Sequence, residues 1–175
     1  CASAELAGEL NDEAIAAQTY EVLLPLTERE LVFSVAPPLS IQRCLGVAAR
    51  VLGRHSESAK HLELAEKQAR AGEANTELAL TLLERARLAQ TADSERPERI
   101  AEWLSEAMQV FRAGEFLWAE EAARGIAARA GVRTSLAATL PSFADDLSDG
   151  ELETIRGLAQ GLQPAQIANT LLLSE

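Results

Sequence analysis

Three triplets of residues recur along this chain at one fixed interval, and that interval restricts the available folds more than any other feature. Ala16, Tyr20 and Leu23 return as Ser58, Leu62 and Ala65, and again as Ile100, Leu104 and Ala107, each set displaced by 42 residues (16, 58, 100). Inside each set the steps of three and four residues belong to one face of a helix. A period of about 40 residues in a helical chain means helix pairs that do not bury their apolar face alone and so stack on their neighbours.

The remaining residues favour helix throughout. Apolar residues make up 47% of the 175 positions, enough for a real core, but only 4% are aromatic and the bulk are Ala and Leu, which favours helix over strand. Ile41, Leu45, Ala48 and Leu52 form one amphipathic stripe, and Ile100, Leu104, Ala107 and Phe111 form another. Gly53, Gly72, Gly114 and Gly131 each follow such a pattern, and each is predicted to end its helix in the left-handed conformation. Between Gln90 and Pro97 the run TADSER breaks the period, with Ser94 as predicted N-cap and Pro97 in the first turn. Pro37-Pro38 marks another loop. Residues 132–146 lose the period and contain Pro141, which predicts a linker.

Charge and chemistry exclude several function classes. The net charge of -11 repels nucleic acid and anionic membrane, and no Lys/Arg cluster offsets it. No stretch reaches the length of a membrane span. Cys1 and Cys44 are too few for a disulfide framework, Cys44 reads as a small core residue, and a reducing cytoplasm fits best. The start at Cys1, without Met or a signal-like segment, reads as an excised fragment. No glycine-rich GxxxxGK[ST] loop is present to cradle phosphate. His55 and His61, six apart, fall on different faces of a helix and read as surface or loop residues, and no Cys or His pair has metal-ligand spacing. Glu120-Glu121 and Asp145-Asp146 read as solvated runs, and Trp103 and Trp118 as core residues. The expectation is therefore a non-enzyme with neither cofactor nor metal.

Leu45-Gly46, Gly53, Ser58, Leu62 and Ala65 have the spacing of a large-small pair, a turn glycine, then small, large and small residues of a second helix. This resembles the tetratricopeptide repeat over residues 11–131, with Ala86 standing where Gly46 stood, 40 residues on, and a loop about two residues longer in the next pair. The resemblance implies an all-α fold of antiparallel helix pairs stacked as a tetratricopeptide-like right-handed solenoid, occupying residues 1–131. It also implies a concave groove lined by Arg43, Val47, Arg50, Leu83, Arg87 and Gln90. Three arginines on one face of an acidic protein would suit an acidic peptide or an anionic effector; they read equally well as solvated arginines paired with nearby Glu.

The C-terminal stretch, residues 147–175, carries a second pattern. Leu152, Ile155, Leu158 and Ala159 make one helix face, Gly161 ends that helix, and Pro164 suits the first turn of a second helix with Ile167, Ala168 and Leu171 buried. Together with Leu147-Ser148, Glu151, Glu153, Leu162, Gln166 and Leu173-Ser174, this resembles the start of the LuxR-type helix-turn-helix. In that family the helix beginning near Ser174 is the recognition helix, so residues 147–175 correspond to a partial domain without it. Asp149, Glu151, Glu153 and Glu175 oppose only Arg156, a poor balance for phosphate contact. The resemblance implies the sensing region of a large bacterial LuxR-type regulator in which repeats receive a protein or small effector. An upstream nucleotide-binding domain is common in that architecture. Promoter DNA would be bound only by the full-length protein, with no membrane partner, and a homodimer is compatible with the arrangement. The alternative is a helical-repeat adaptor that binds proteins and has no DNA-binding role.

Overall fold

A computed structural model describes residues 1–27, 32–33, 39–92 and 95–132. The chain divides into two units at Thr134/Ser135, and every described residue belongs to the first. The described residues are all-helical: α1 (Ala2–Leu10), α2 (Glu13–Thr27), α3 (Ile41–Val51), α4 (His55–Ala71), α5 (Asn75–Ala92), α6 (Pro97–Ala113) and α7 (Leu117–Arg129). They contain no strand, only an isolated bridge between Phe33 and Ser40. None of these helices is long and apolar enough to cross a membrane.

The 42-residue interval is built into the fold. Helices α2, α4 and α6 begin at Glu13, His55 and Pro97, 42 residues apart (13, 55, 97), and all nine residues of the three triplets are buried. Each helix packs on its neighbours in sequence. In addition α1 touches α3, α3 touches α5 and α5 touches α7, so the odd-numbered helices form a row of their own. The close approach of α3 to α4 explains Gly46: a Cβ there would lie 2.6 Å from Cγ and Cδ2 of the buried Leu62. In the same contact the Ser58 hydroxyl donates to the Gly46 carbonyl oxygen at 2.7 Å. Small residues at 46 and 58 are thus what lets the two helices meet.

Five of the helix ends share one closure. Asn11, Gly53, Glu73, Glu115 and Gly131 adopt positive φ, between 51° and 70°. In each case the next residue donates its N–H to a carbonyl five positions back, as in Arg54 to Ala49, Ala74 to Ala69 and Phe116 to Phe111, the 6→1 bond of a Schellman motif. Gly53 and Gly131 are therefore left-handed as predicted, but Gly72 and Gly114 are not, with φ of -94° and -99°. The left-handed position falls one residue later, on a glutamate. Gly114 answers a different need, because a Cβ there would lie 2.4 Å from the Phe116 ring.

Two further expectations change. Pro97 opens α6 as predicted, but Arg96 holds the cap position without a side-chain bond, and Ser94 lies outside the described residues. Trp103 is buried, whereas Trp118 is 55% exposed and its neighbour Leu117 65%. The buried face of α7 is carried by Ala119, Ala123, Ile126 and Ala127, and Trp118, one residue before Ala119, is turned about 100° away from it; Glu120, expected in a solvated run, is also buried, where it accepts from Arg124 at 3.0 Å.

A side chain at positive φ costs about 1 kcal/mol that glycine does not pay. Glu73→Gly and Glu115→Gly should each stabilise the protein by about 0.5–1 kcal/mol, seen as a higher urea midpoint at unchanged slope. A midpoint at or below the wild-type value would contradict the assignment.

Candidate interaction face

The row of odd-numbered helices carries the six residues expected to line a groove. Val47 and Leu83 are core residues, 1% and 2% exposed. Arg43, in the first turn of α3, is equally buried. Its Nε and Nη2 donate to the two carboxylate oxygens of Glu77 on α5, at 3.0 and 3.1 Å, and its Nη1 donates to Glu5 on α1. Burial works against this guanidinium, but the hydrogen bonds to Glu77 and the charge of Glu5 outweigh it and hold the group protonated above its ordinary range. Arg50 donates through Nε to Glu84 at 3.3 Å. Arg87 donates to Glu84 at 2.8 Å and to Glu9 at 3.0 Å. Gln90 joins α5 to α7, donating to the Ile126 carbonyl oxygen at 3.3 Å and accepting from Arg129 Nε at 3.1 Å.

The carboxylates that answer the three arginines therefore come from this chain. An anionic partner would have to displace Glu5, Glu9, Glu77 or Glu84. These partners went unrecognised in the sequence, although a signal exists: Arg43 and Arg50 are seven residues apart, Glu77 and Glu84 are seven apart, and both pairs are separated by 34 residues. Two basic residues two turns apart facing two acidic residues two turns apart is the pattern of helices packed side by side.

Around Arg43 the bonding also fixes a chain entry. Ser40 caps α3, its hydroxyl accepting from Arg43 N at 3.2 Å, while the Ser40 N–H donates to Glu77 Oε2 at 3.1 Å. Glu77 thus receives bonds from a guanidinium and from a helix-entry amide, in a site where Ser40, Arg43 and Glu77 are all buried. Nearby, Cys44 is buried as expected and both cysteines are free. Burial pushes its thiol up to about 12, so it stays un-ionised as a small core residue.

A second polar cluster sits where α2 meets the following pair. The Tyr20 hydroxyl lies 3.0 Å from Glu57 Oε2 and 3.1 Å from His61 Nε2, and His61 Nδ1 lies 2.7 Å from Gln42 Oε1. The Arg54 guanidinium stacks over the Tyr20 ring at 5.2 Å. His61, expected as a surface or loop residue, is in fact a half-buried member of this network. Desolvation lowers its pKa, opposed by the charge of Glu57, and burial followed by the Glu57 hydrogen bond raises that of Tyr20. On the other side of the stack Trp103 lies under two guanidiniums, Arg85 at 4.4 Å and Arg99 at 5.2 Å.

No cluster of three or more His, Cys, Asp or Glu suited to a metal ion occurs among the described residues. The helix-turn-helix positions Leu152, Ile155, Leu158, Ala159, Gly161, Ile167, Ala168 and Leu171 lie outside them, as does Pro37-Pro38. Comparison with family models, curated proteins and solved structures finds no match to this chain.

Removing one member of a buried ion pair leaves an uncompensated charge. Arg43→Met should cost about 3–5 kcal/mol, and the double change Arg43→Met with Glu77→Leu should recover part of it, the Ser40 amide being left without its acceptor; urea unfolding of the single and double variants measures both, and equal losses would refute the pairing. For His61 the folded state disfavours the proton that the unfolded chain binds with a pKa of about 6.5. The stability it contributes is therefore full above about pH 6.5 and is lost as pH falls through that value toward its lowered folded pKa. His61→Gln should flatten the pH dependence of the urea midpoint between about pH 7 and 5; an unchanged slope would assign the effect elsewhere.

Proposed function

We propose that this chain is the sensing and protein-interaction region of a bacterial LuxR-type transcriptional regulator. In this reading the helix pairs form a tetratricopeptide-like right-handed solenoid that receives a protein or small effector in the cytoplasm. It is non-catalytic and needs no cofactor. Residues 147–175 supply the first two helices of the DNA-binding module, and occupancy of the repeats changes the exposure or pairing of those modules through differential affinity for two states.

The single observation that carries the scaffold half is the 42-residue register of α2, α4 and α6, with the same three positions buried in each. Such stacking makes extended surface and is the architecture of partner-binding arrays. The ordered polar clusters on it are internally paired, which favours a scaffold over an active site. The regulator half rests on the residue pattern of 147–175 alone, from Leu152 and Ile155 through Gly161 to Ile167-Ala168. The acidic charge of the chain fits a division of labour in which the repeats sense and another helix reads DNA.

The test is made in the cell that encodes the protein. Ala168→Arg should disrupt the helix-turn-helix core and alter the abundance of a small, defined set of transcripts, while circular dichroism of the purified variant retains the helix content of α1 to α7. Helical content kept with a wild-type transcript profile would sink the regulator reading and leave the adaptor with no DNA-binding role.

A further inference from the structure

Helix α1 lies over all three arginines of the odd-numbered row. Its Glu5 accepts from Arg43 and its Glu9 from Arg87. Between them Gly8 sits above Arg50, where a Cβ would lie 3.5 Å from Nη2 and only 2.8 Å from Cγ1 of Val47. One short segment thus closes Arg43, Arg50 and Arg87 together, with two carboxylates four residues apart and a glycine that lets the helix approach.

That segment is the least anchored of the described helices. It has nine residues, no side-chain cap at Cys1, and Ala4 and Ala7 as its buried residues, with Cys1 packed partly against the same core. Every other described helix buries at least one larger apolar side chain, from Tyr20 and Leu23 in α2 to Ile126 in α7. Apolar stabilisation scales with the area buried, so two methyl groups hold α1 weakly. Its large side chains, Leu6 and Leu10, are exposed. Helices this short are marginal alone, an interior glycine weakens them further, and Glu9 in the last turn opposes the helix dipole. Glu77 and Glu84 are buried, whereas the side chains of Glu5 and Glu9 are 39% and 62% exposed. The carboxylates this face can release are therefore those of α1.

We propose that α1 is a displaceable cover of the arginine face, and that the partner received there is an acidic helix with carboxylates four residues apart and small residues in the places of Ala4, Ala7 and Gly8. Such a helix renews each ion pair and covers again the apolar surface that α1 leaves, so the exchange exposes no core. A free anion replaces the carboxylates alone and leaves that surface in water. Because α1 competes from within the chain at high effective concentration, it sets the threshold a partner must exceed. The proposal rests on the scaffold half of the reading above, that the helix pairs receive a partner protein. Its readouts are exchange and peptide binding, so its failure leaves the transcript test of the regulator half standing.

Hydrogen exchange read by mass spectrometry on the whole chain tests the cover, and a labelled peptide of residues 2–12, followed by fluorescence anisotropy, tests the seat. Glu5→Gln with Glu9→Gln should speed exchange of the α1 amides at least tenfold while α3 and α5 stay protected. In the unchanged chain, raising salt from about 0.05 M to about 1 M should speed α1 in the same selective way, because its half-exposed pairs are screened more than the buried Arg43–Glu77 pair. The peptide should bind the double variant saturably, at least tenfold tighter than the wild-type chain, whose seat is filled. Peptides carrying Glu5→Gln with Glu9→Gln, or Gly8→Leu, should bind at least tenfold more weakly. Exchange of α1 and α3 at one common rate, no gain of peptide affinity in the double variant, or equal binding of the glutamine peptide would overturn the proposal.

Discussion

The contact between Arg43 and Glu77 governs more of this structure than any apolar pair. It joins α3 to α5 directly, across the turn, helix and turn that separate them in sequence, and it brings Glu5 of α1 to the same guanidinium. The Glu77 carboxylate also accepts from the Ser40 amide that opens α3, so three buried groups meet at one point. A buried ion pair of this kind adds little net stability over an apolar replacement, since desolvation consumes most of the attraction. What it adds is register. Two apolar helix faces slide past one another at small cost, whereas a bidentate fork accepts one alignment.

The same logic extends along the row. Arg50, Glu84, Arg87 and Glu9 continue the alternation of charge, and Gln90 passes it to α7 through a backbone carbonyl. Charges that a composition count assigns to the solvated surface are spent holding helices in alignment. The three arginines therefore offer a visiting anion less than their charges suggest, because they are already neutralised from within. It also means that the glutamates left over dominate the field around the chain.

Much of the helical framework was legible in the residues, and the reasons are local. Small and large residues at 46, 58 and 62 must interlock wherever two helices approach closely, so their spacing reports the contact before any coordinates exist. Chain reversal is equally local, which is why Gly53 and Gly131 were assigned to left-handed turns. The failures have the opposite character. Glu73 and Glu115 take positive φ because the whole turn is shifted by one residue, and the six-residue closure, not the glycine, decides where. Trp118 faces solvent because four alanine and isoleucine positions claimed the inward face of α7 first. His61 joined Tyr20 and Gln42 through contacts spanning 41 and 19 residues, a pairing that no local pattern announces. The groove residues were found as a set but misjudged in their surroundings, because their acidic partners lie on other helices.

Repetition of backbone geometry combined with variation at the seams has an evolutionary corollary. Tyr20 meets a histidine and a glutamate at one junction, while Glu66 and Arg70 meet an arginine and a glutamate at the next. The second helices of the pairs share one register but meet different lock faces. Recombination that deleted, duplicated or transposed a pair would keep the register of the second helices and yet set mismatched charges or an unpaired tyrosine against the new neighbour. Arrays of this construction can drift in sequence, but their pairs are not interchangeable parts, and the linear order of the modules is recorded in the side chains between them.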